Sequence, residues 1–259
     1  MAQVAIEITS AVATLWLDRP DRHNAFDDVL MRELIAALDS LESDSSVRVV
    51  ILAGRGKNFS AGADLGWMRR MAGASEAENE ADAGLLADLM HRLSSLSKPT
   101  IAAVHGAALG GGVGLVAACD MALAAEDALF SLSEVRLGLI PSVISPYVIA
   151  AIGPRAARRY FLTAERFDAA TAARLGLVSA VLPADQLQAE ANRLAAMLAA
   201  NPPRAMAEAK RLIEDVAGRP IDEALRKETA KRIARLRAGD EAREGIAAFL
   251  EKRKPRWQG

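Results

Sequence analysis

Apolar and polar positions alternate with a period of two over Val4 to Ile8 and again over Val12 to Leu17, which predicts two half-buried strands joined by a turn at Thr9-Ser10-Ala11. Asp18 to Phe26 breaks that pattern with Pro20 and Asn24 and reads as a loop. Asp27 stands as an N-cap before Leu30, Leu34, Ala37, Leu38 and Leu41, which share one face of a helix ending near Leu41. Val47 to Leu52 is almost wholly apolar, the pattern of a strand covered on both faces. Gly54 to Asn58 leaves that strand, and Phe59 to Asp64 is expected to cross the top of the sheet. Gly73 to Gly84 is small and acidic and reads as a mobile bridge into a helix over Leu85 to Leu96.

A second strand over Thr100 to Val104 stops at His105-Gly106, and Gly110, Gly111 and Gly112 open an Ala- and Gly-rich helix over Val113 to Cys119. A strand that turns through glycines into a helix aims unpaired N–H groups and the positive end of the helix dipole at one point. Such a point favours developing negative charge. Asp120 to Ala124 reads as a strand, Ser131 to Leu137 as an irregular connection and Ser142 to Ile152 as a helix. The alternation from 47 to 152 implies parallel βαβ units. Helices then dominate, over Arg155 to Thr163, Asp168 to Leu175, Ala184 to Ala200, Pro203 to Val216, Pro220 to Arg237 and Asp240 to Lys252, with a short strand at Val178 to Leu182. The division expected is a core over residues 1–200 and a helical region over 201–259.

With 259 residues, 51% of them hydrophobic, the chain can bury one large α/β core. Apolar runs are cut by charge or glycine before membrane-spanning length, and MAQVAIEITS lacks the order of a signal or transit peptide, so a cytoplasmic location is expected. The single Cys119 cannot form an internal disulfide and is read as packing. The three histidines are scattered, which leaves no metal-ligand spacing, and His105 at a strand end is read as structural. The net charge of −1 hides an asymmetry, since residues 201–259 hold 15 Lys/Arg against 10 Asp/Glu. DNA is not an expected partner. RNA is disfavoured because aromatic residues make up only 4% and do not interleave with basic ones.

GALGGGVG fits the dinucleotide spacing poorly, and no Gly-Lys-Ser/Thr follows to make a P-loop. The stretch Ala102-Ala103-Val104-His105-Gly106-Ala107-Ala108-Leu109-Gly110-Gly111-Gly112, with Phe59-Ser60-Ala61-Gly62-Ala63-Asp64-Leu65 upstream, resembles the crotonase (enoyl-CoA hydratase/isomerase) family over nearly the whole chain. The resemblance implies a crotonase (ClpP/crotonase-like) α/β spiral of ββα units with a C-terminal helical trimerisation region. It also implies an acyl-CoA thioester substrate, no cofactor beyond the coenzyme A of that substrate, and homotrimers that pair as hexamers. In the family's roles, the backbone N–H groups of Ala63 and Gly111 would hold the thioester oxygen, and Glu134, ahead of Leu137-Gly138-Leu139-Ile140-Pro141, would be the acid/base. Arg22, Ala61, Asp64, Leu65 and Gly110 would line the coenzyme and thioester, with Asp64 fixing its loop by hydrogen bonding. Phe249 and Lys252 would reach the coenzyme of a neighbouring subunit. Trp67, Met68 and Met71 are read as ordinary packing, with the acyl pocket as the alternative, and Ser142 or Ser145, where many relatives have a glycine-rich turn, is a candidate to orient water.

One position departs from the family. Its other glutamate falls on Gly114, so two-carboxylate hydration is not available, and a double-bond isomerase or a non-catalytic acyl-CoA- or RNA-binding member are the rival readings. Ser131 to Val148 and Gly153 to Phe167 look most like the branch of methylglutaconyl-CoA hydratases of leucine breakdown and isohexenylglutaconyl-CoA hydratases. Their carboxylated substrates would find a counter-charge in Arg136 or in Arg155, Arg158 and Arg159.

Overall fold

The structure is a computed structural model and describes residues 2–258. Among these the chain forms nine strands: β1 (Val4–Thr9), β2 (Val12–Leu17), β3 (Val49–Gly54), β4 (Thr100–Val104), β5 (Ala107–Leu109), β6 (Met121–Ala125), β7 (Leu129–Ser131), β8 (Phe167–Asp168) and β9 (Ala180–Leu182). The helices of the first half are α1 (Asp28–Ser43), α2 (Leu65–Ala72), α3 (Glu76–Ser95) and α4 (Gly111–Ala118). Those that follow are α5 (Ser145–Thr163), α6 (Ala169–Leu175), α7 (Leu187–Ala199), α8 (Pro203–Val216), α9 (Glu223–Arg237) and α10 (Asp240–Leu250).

The hairpin of β1 and β2 starts a six-stranded sheet of order β1-β2-β3-β4-β6-β9, in which every pair after the hairpin is parallel. Strand alternation divides its side chains between two cores. Val50, Leu52, Ala102, Val104, Ala122 and Ala124 pack with the buried faces of α1, α3, α4 and α5. Val49, Ile51, Ala53, Ile101, Ala103 and Leu123 face the other way, where Leu187, Ala191 and Ala195 of α7 cover them. Burial on both faces explains why β3 is apolar at every position. Each fully buried Val, Leu or Ile contributes about 1.5–3 kcal/mol against solvent exposure.

A smaller sheet of order β5-β7-β8 was not legible in the pattern, since its strands hold three, three and two residues. Isolated bridges Ser60↔Ala108 and Phe26↔Ala63 extend it, so residues 26, 60–63 and 107–109 run side by side.

The expected mobile bridge over Gly73 to Gly84 is corrected by the structure. Gly73 ends α2, and Ser75 opens α3 with a capping box in which its hydroxyl accepts from the Glu78 N–H and the Glu78 carboxylate accepts from the Ser75 N–H. The first turns of α3 are exposed and need no apolar stripe, which is why periodicity missed them. The helix expected from Ser142 begins instead at Ser145. It runs to Thr163 with a break at Gly153, whose φ of 74° interrupts it where the two expected segments divide.

Gly106 is where the chain turns from β4 toward β5 at a φ of 57°, and a Cβ there would lie 2.1 Å from the Lys57 carbonyl oxygen. Left-handed geometry alone costs a non-glycine residue about 1–2 kcal/mol, and backbone cannot yield as a side chain can. Gly106→Ala is therefore expected to lower stability by more than about 2 kcal/mol, read as a fall in the urea midpoint with an unchanged slope.

Candidate active site

Two segments meet at the edge of the small sheet. Ser60 N–H donates to the Ala107 carbonyl (3.0 Å), Leu109 N–H donates to the Ser60 carbonyl (2.9 Å), and Phe26 brackets residue 63 by donating to the Gly62 carbonyl (2.7 Å) and accepting from the Asp64 N–H (2.8 Å). No acceptor on the described residues takes the N–H of Ala63 or of Gly111, the first residue of α4. The Phe26 ring lies 3.3 Å from where a Gly111 Cβ would stand. Phe26 thus touches both segments, pairing with residue 63 through its backbone and packing on Gly111 through its ring, and a Cβ at Gly62 would stand 3.0 Å from the Leu109 carbonyl oxygen. Gly110 supplies the turn between them and the helix, with φ 50° and ψ −117°, a conformation that side chains avoid.

Glu134 begins a one-turn 3₁₀ helix, Glu134–Leu137, and its carboxyl presses on that same turn. Its Oε1 lies 3.1 Å from where a Gly110 Cβ would be, so a side chain there would crowd the carboxyl. Its Oε2 is buried and has no hydrogen-bond partner among the described residues. Burial pushes the Glu134 carboxyl above the ordinary glutamate range. Among the described residues no ion pair joins it to Arg136. A carboxyl that takes up a proton more readily than a free glutamate, next to free amide donors, is equipped to exchange a proton with a ligand whose oxygen those amides hold.

Gly114 lies one helical turn beyond Gly111 and faces the same core. A Cβ there would stand 2.2 Å from Cγ2 and 2.9 Å from Cβ of Ile144, and 3.3 Å from the Met90 sulfur. Ile144 and Met90 are themselves buried. The room a second carboxylate would use is therefore filled with hydrocarbon.

The remaining sequence-predicted residues fall in three places. Ala61, Asp64 and Leu65 follow the crossing strand. Ala61 N–H donates to the His23 carbonyl (2.9 Å), and Leu65 opens α2 and is 73% exposed. Asp64 caps α2 through the amides of Gly66 (2.8 Å) and Trp67 (3.0 Å). Partial burial raises its carboxyl, but those two amides, with Arg19 and Arg22, outweigh it and leave the group below the usual aspartate range. Arg22 is exposed in the 3₁₀ turn Pro20–Arg22, and Ser142 is exposed just past the Glu134 turn, where its carbonyl accepts from Ser145. Phe249 and Lys252 lie apart from these, at the end of α10, and Phe249 is 82% exposed. The structure groups Ala61, Ala63, Asp64, Gly110, Gly111 and Glu134, and it leaves Phe249 and Lys252 outside that group.

Sequence reading missed the residues that hold the group in place. Asn24 is fully buried with a φ of 55°, and its amide donates to the carbonyls of Arg55 (2.9 Å) and Asn58 (2.8 Å). Asn58 accepts from the Ala107 N–H (2.9 Å), and the buried Ser60 hydroxyl donates to the Asn24 carbonyl (2.9 Å). Their only signal was a buried-side Asn in a loop, which reads as an ordinary turn former. His105 ties its own turn to the Gly56 carbonyl (2.9 Å). A cavity of ≈ 320 Å³ lined by Trp16, Arg55, His105 and Gln188 contains none of the grouped residues, nor does one of ≈ 250 Å³ between α8, α9 and α10.

The sequence profile of the enoyl-CoA hydratase/isomerase family matches residues 7–259. A solved enoyl-CoA hydratase from Shewanella pealeana is 47% identical and superposes with a TM-score of 0.96, covering 98% of this chain and 96% of its own. The 2,3-dehydroadipyl-CoA hydratase of Escherichia coli is 34% identical over 100% of both chains. A mitochondrial Delta(3,5)-Delta(2,4)-dienoyl-CoA isomerase of Dictyostelium discoideum is 35% identical over 94% of this chain and 86% of its own. The two-sheet architecture described above is the crotonase-type fold.

Proposed function

The chain belongs to the enoyl-CoA hydratase/isomerase family, and on that premise we propose that it is an enoyl-CoA hydratase, adding water reversibly across the 2,3-double bond of an acyl-CoA thioester. One observation carries the reading: two backbone amides without acceptors among the described residues, those of Ala63 and Gly111, lie on segments that Phe26 ties together, beside a half-buried carboxyl, Glu134, whose Oε2 also lacks a partner.

The thioester oxygen accepts from both amides. As the water oxygen bonds to C3, the double-bond electrons move onto that carbonyl and make an enolate, and the two donors stabilise the charge where it forms. One such donor is worth about 3 kcal/mol. The Glu134 carboxylate takes the proton that water loses and returns it to C2 as the enolate collapses. One water is consumed and the carboxylate is regenerated. Since the donors are backbone groups, small side chains at 61–63 and 110–112 serve only to let the thioester come close.

Within this class, a branched substrate with its own carboxylate, such as 3-methylglutaconyl-CoA of leucine breakdown, is the finer reading. Arg159 is held by Glu165 (2.6 Å) and stacks on Tyr160, so Arg136, Arg155 and Arg158 supply the counter-charge. Phe249, exposed on α10, and Lys252, exposed just past its end, are assigned to the coenzyme of a neighbouring copy in a homotrimer or a pair of trimers. No described helix is long and apolar enough to cross a membrane, and the substrate is a soluble thioester, in keeping with a cytoplasmic enzyme.

The hydrocarbon packed against Gly114 favours one rival. A 3-enoyl-CoA isomerase moves a single proton and needs only one carboxyl. Crotonyl-CoA, 3-methylglutaconyl-CoA and a 3-enoyl-CoA assayed side by side separate the two. Hydration of either 2-enoyl thioester, at a rate that collapses in Glu134→Gln, is expected. Turnover of the 3-enoyl substrate alone would replace the hydratase by the isomerase.

A further inference from the structure

Arg19 sits in the loop before α1, and its guanidinium reaches both helix caps that flank the Phe26–Ala63 bridge. Nη1 lies 2.9 Å from the Asp27 carboxylate and donates to the Ala25 carbonyl at 2.7 Å, while Nη2 lies 3.3 Å from the Asp64 carboxylate. Each carboxylate is already engaged at its other oxygen. Asp27 caps α1 through the Leu30 N–H (2.8 Å), and Asp64 caps α2 through Gly66 and Trp67. The three charged side chains are only 13–16% exposed, so the fork is shielded from the solvent that makes surface pairs weak. The Arg19 N–H also donates to the Asn24 side chain (2.9 Å).

Between the two carboxylates lie Phe26 and Ala63. Phe26 and Ala63 are bridged to each other, and the Phe26 ring packs on Gly111, so the spacing of Asp27 and Asp64 sets the geometry of the 26/63 pair. We infer that Arg19 is a positioning residue, a two-cap clamp that fixes the direction of the Ala63 amide and the gap between the two free N–H groups. This rests on the thioester-binding reading above. A misplacement of about 1 Å in such a site costs on the order of 100-fold in rate, so the clamp acts on turnover more than on substrate binding.

The test uses the full-length protein as it assembles, with Arg19→Lys, Arg19→Gln, Asp64→Asn and the Arg19→Gln/Asp64→Asn double variant. Asparagine caps a helix about as well as aspartate, so Asp64→Asn keeps α2 and removes only the anion facing Arg19. Two readouts are taken. One is kcat against KM on whichever 2-enoyl or 3-enoyl thioester the wild type turns over. The other is the red shift of a bound dimethylaminocinnamoyl-CoA chromophore, which reports carbonyl polarisation without turnover. The expected result is a roughly 10- to 100-fold fall in kcat with KM within a few-fold. The red shift should shrink, lysine should not rescue, and the double variant should be no worse than the poorer single one. A lower melting temperature with kcat per folded enzyme and red shift unchanged would overturn the clamp. Wild-type protein that gives neither turnover nor a red shift would instead overturn the thioester reading itself.

Discussion

Glu134→Gln is expected to lower kcat by roughly 10²- to 10⁴-fold, the range that a positioned proton-transfer group supplies, with little change in KM for the acyl-CoA. Glutamine has nearly the same shape and cannot carry a proton through the cycle. The same substitution is expected to stabilise the fold at neutral pH. Burial holds the folded-state pKa of Glu134 above its unfolded value. The folded protein therefore binds the extra proton, and the stability tied to that proton is full below the unfolded value and lost as pH rises through the folded one. Glutamine has no such loss. The variant should melt above the wild type at pH 7, and the gap should close as pH falls below the ordinary glutamate range. In the wild type, the acid limb of the rate profile should lie above that range for the same reason. A variant that kept wild-type turnover would remove Glu134 from the chemistry.

Gly114→Ala is the second large effect, and it runs against local propensity. Alanine in place of glycine inside a helix gains up to about 1 kcal/mol, yet here the new methyl would stand 2.2 Å from Cγ2 of Ile144 and 2.9 Å from its Cβ. Ile144 is β-branched and 3% exposed, so no simple rotation clears both atoms. Overpacking of this kind costs about 1–3 kcal/mol, and at such a distance it outweighs the helical gain. Ile144→Ala alone should cost about 2–5 kcal/mol by leaving a cavity. The double variant Gly114→Ala/Ile144→Ala should be more stable than the sum of the two single effects predicts, since the methyl enters the vacated space. Denaturant midpoints of the four proteins read the coupling directly. Strict additivity would mean that Ile144 does not occupy the space facing Gly114.

These two positions also show how far the sequence could be read. The strands with clear periodicity, β1 to β4 and β6, lie within two residues of where the apolar pattern put them. The segments around Ala63 and Gly110 were marked by small residues that a close-approaching ligand requires. Gly114 was visible as a departure, but its cause was not. Ile144 lies thirty residues away, and only the packing of α4 on the start of α5 brings it to Gly114. The small sheet was hidden for a related reason, since two- and three-residue strands carry no measurable period and are defined by partners distant in sequence. The capping box at Ser75 was local and legible in principle. Acidic composition masked it, because exposed first turns hold no apolar stripe. The Arg19 fork joins residues 8 and 45 positions away, a pairing that no single-chain pattern announces.

The most direct test is a crystal structure of the assembled protein with a slowly turned-over acyl-CoA bound. The amide nitrogens of Ala63 and Gly111 should both stand about 2.7–3.1 Å from the thioester oxygen, with the Glu134 carboxyl facing C2 and C3. A thioester oxygen held by other groups, or a Glu134 carboxyl turned away from the acyl chain, would contradict the account.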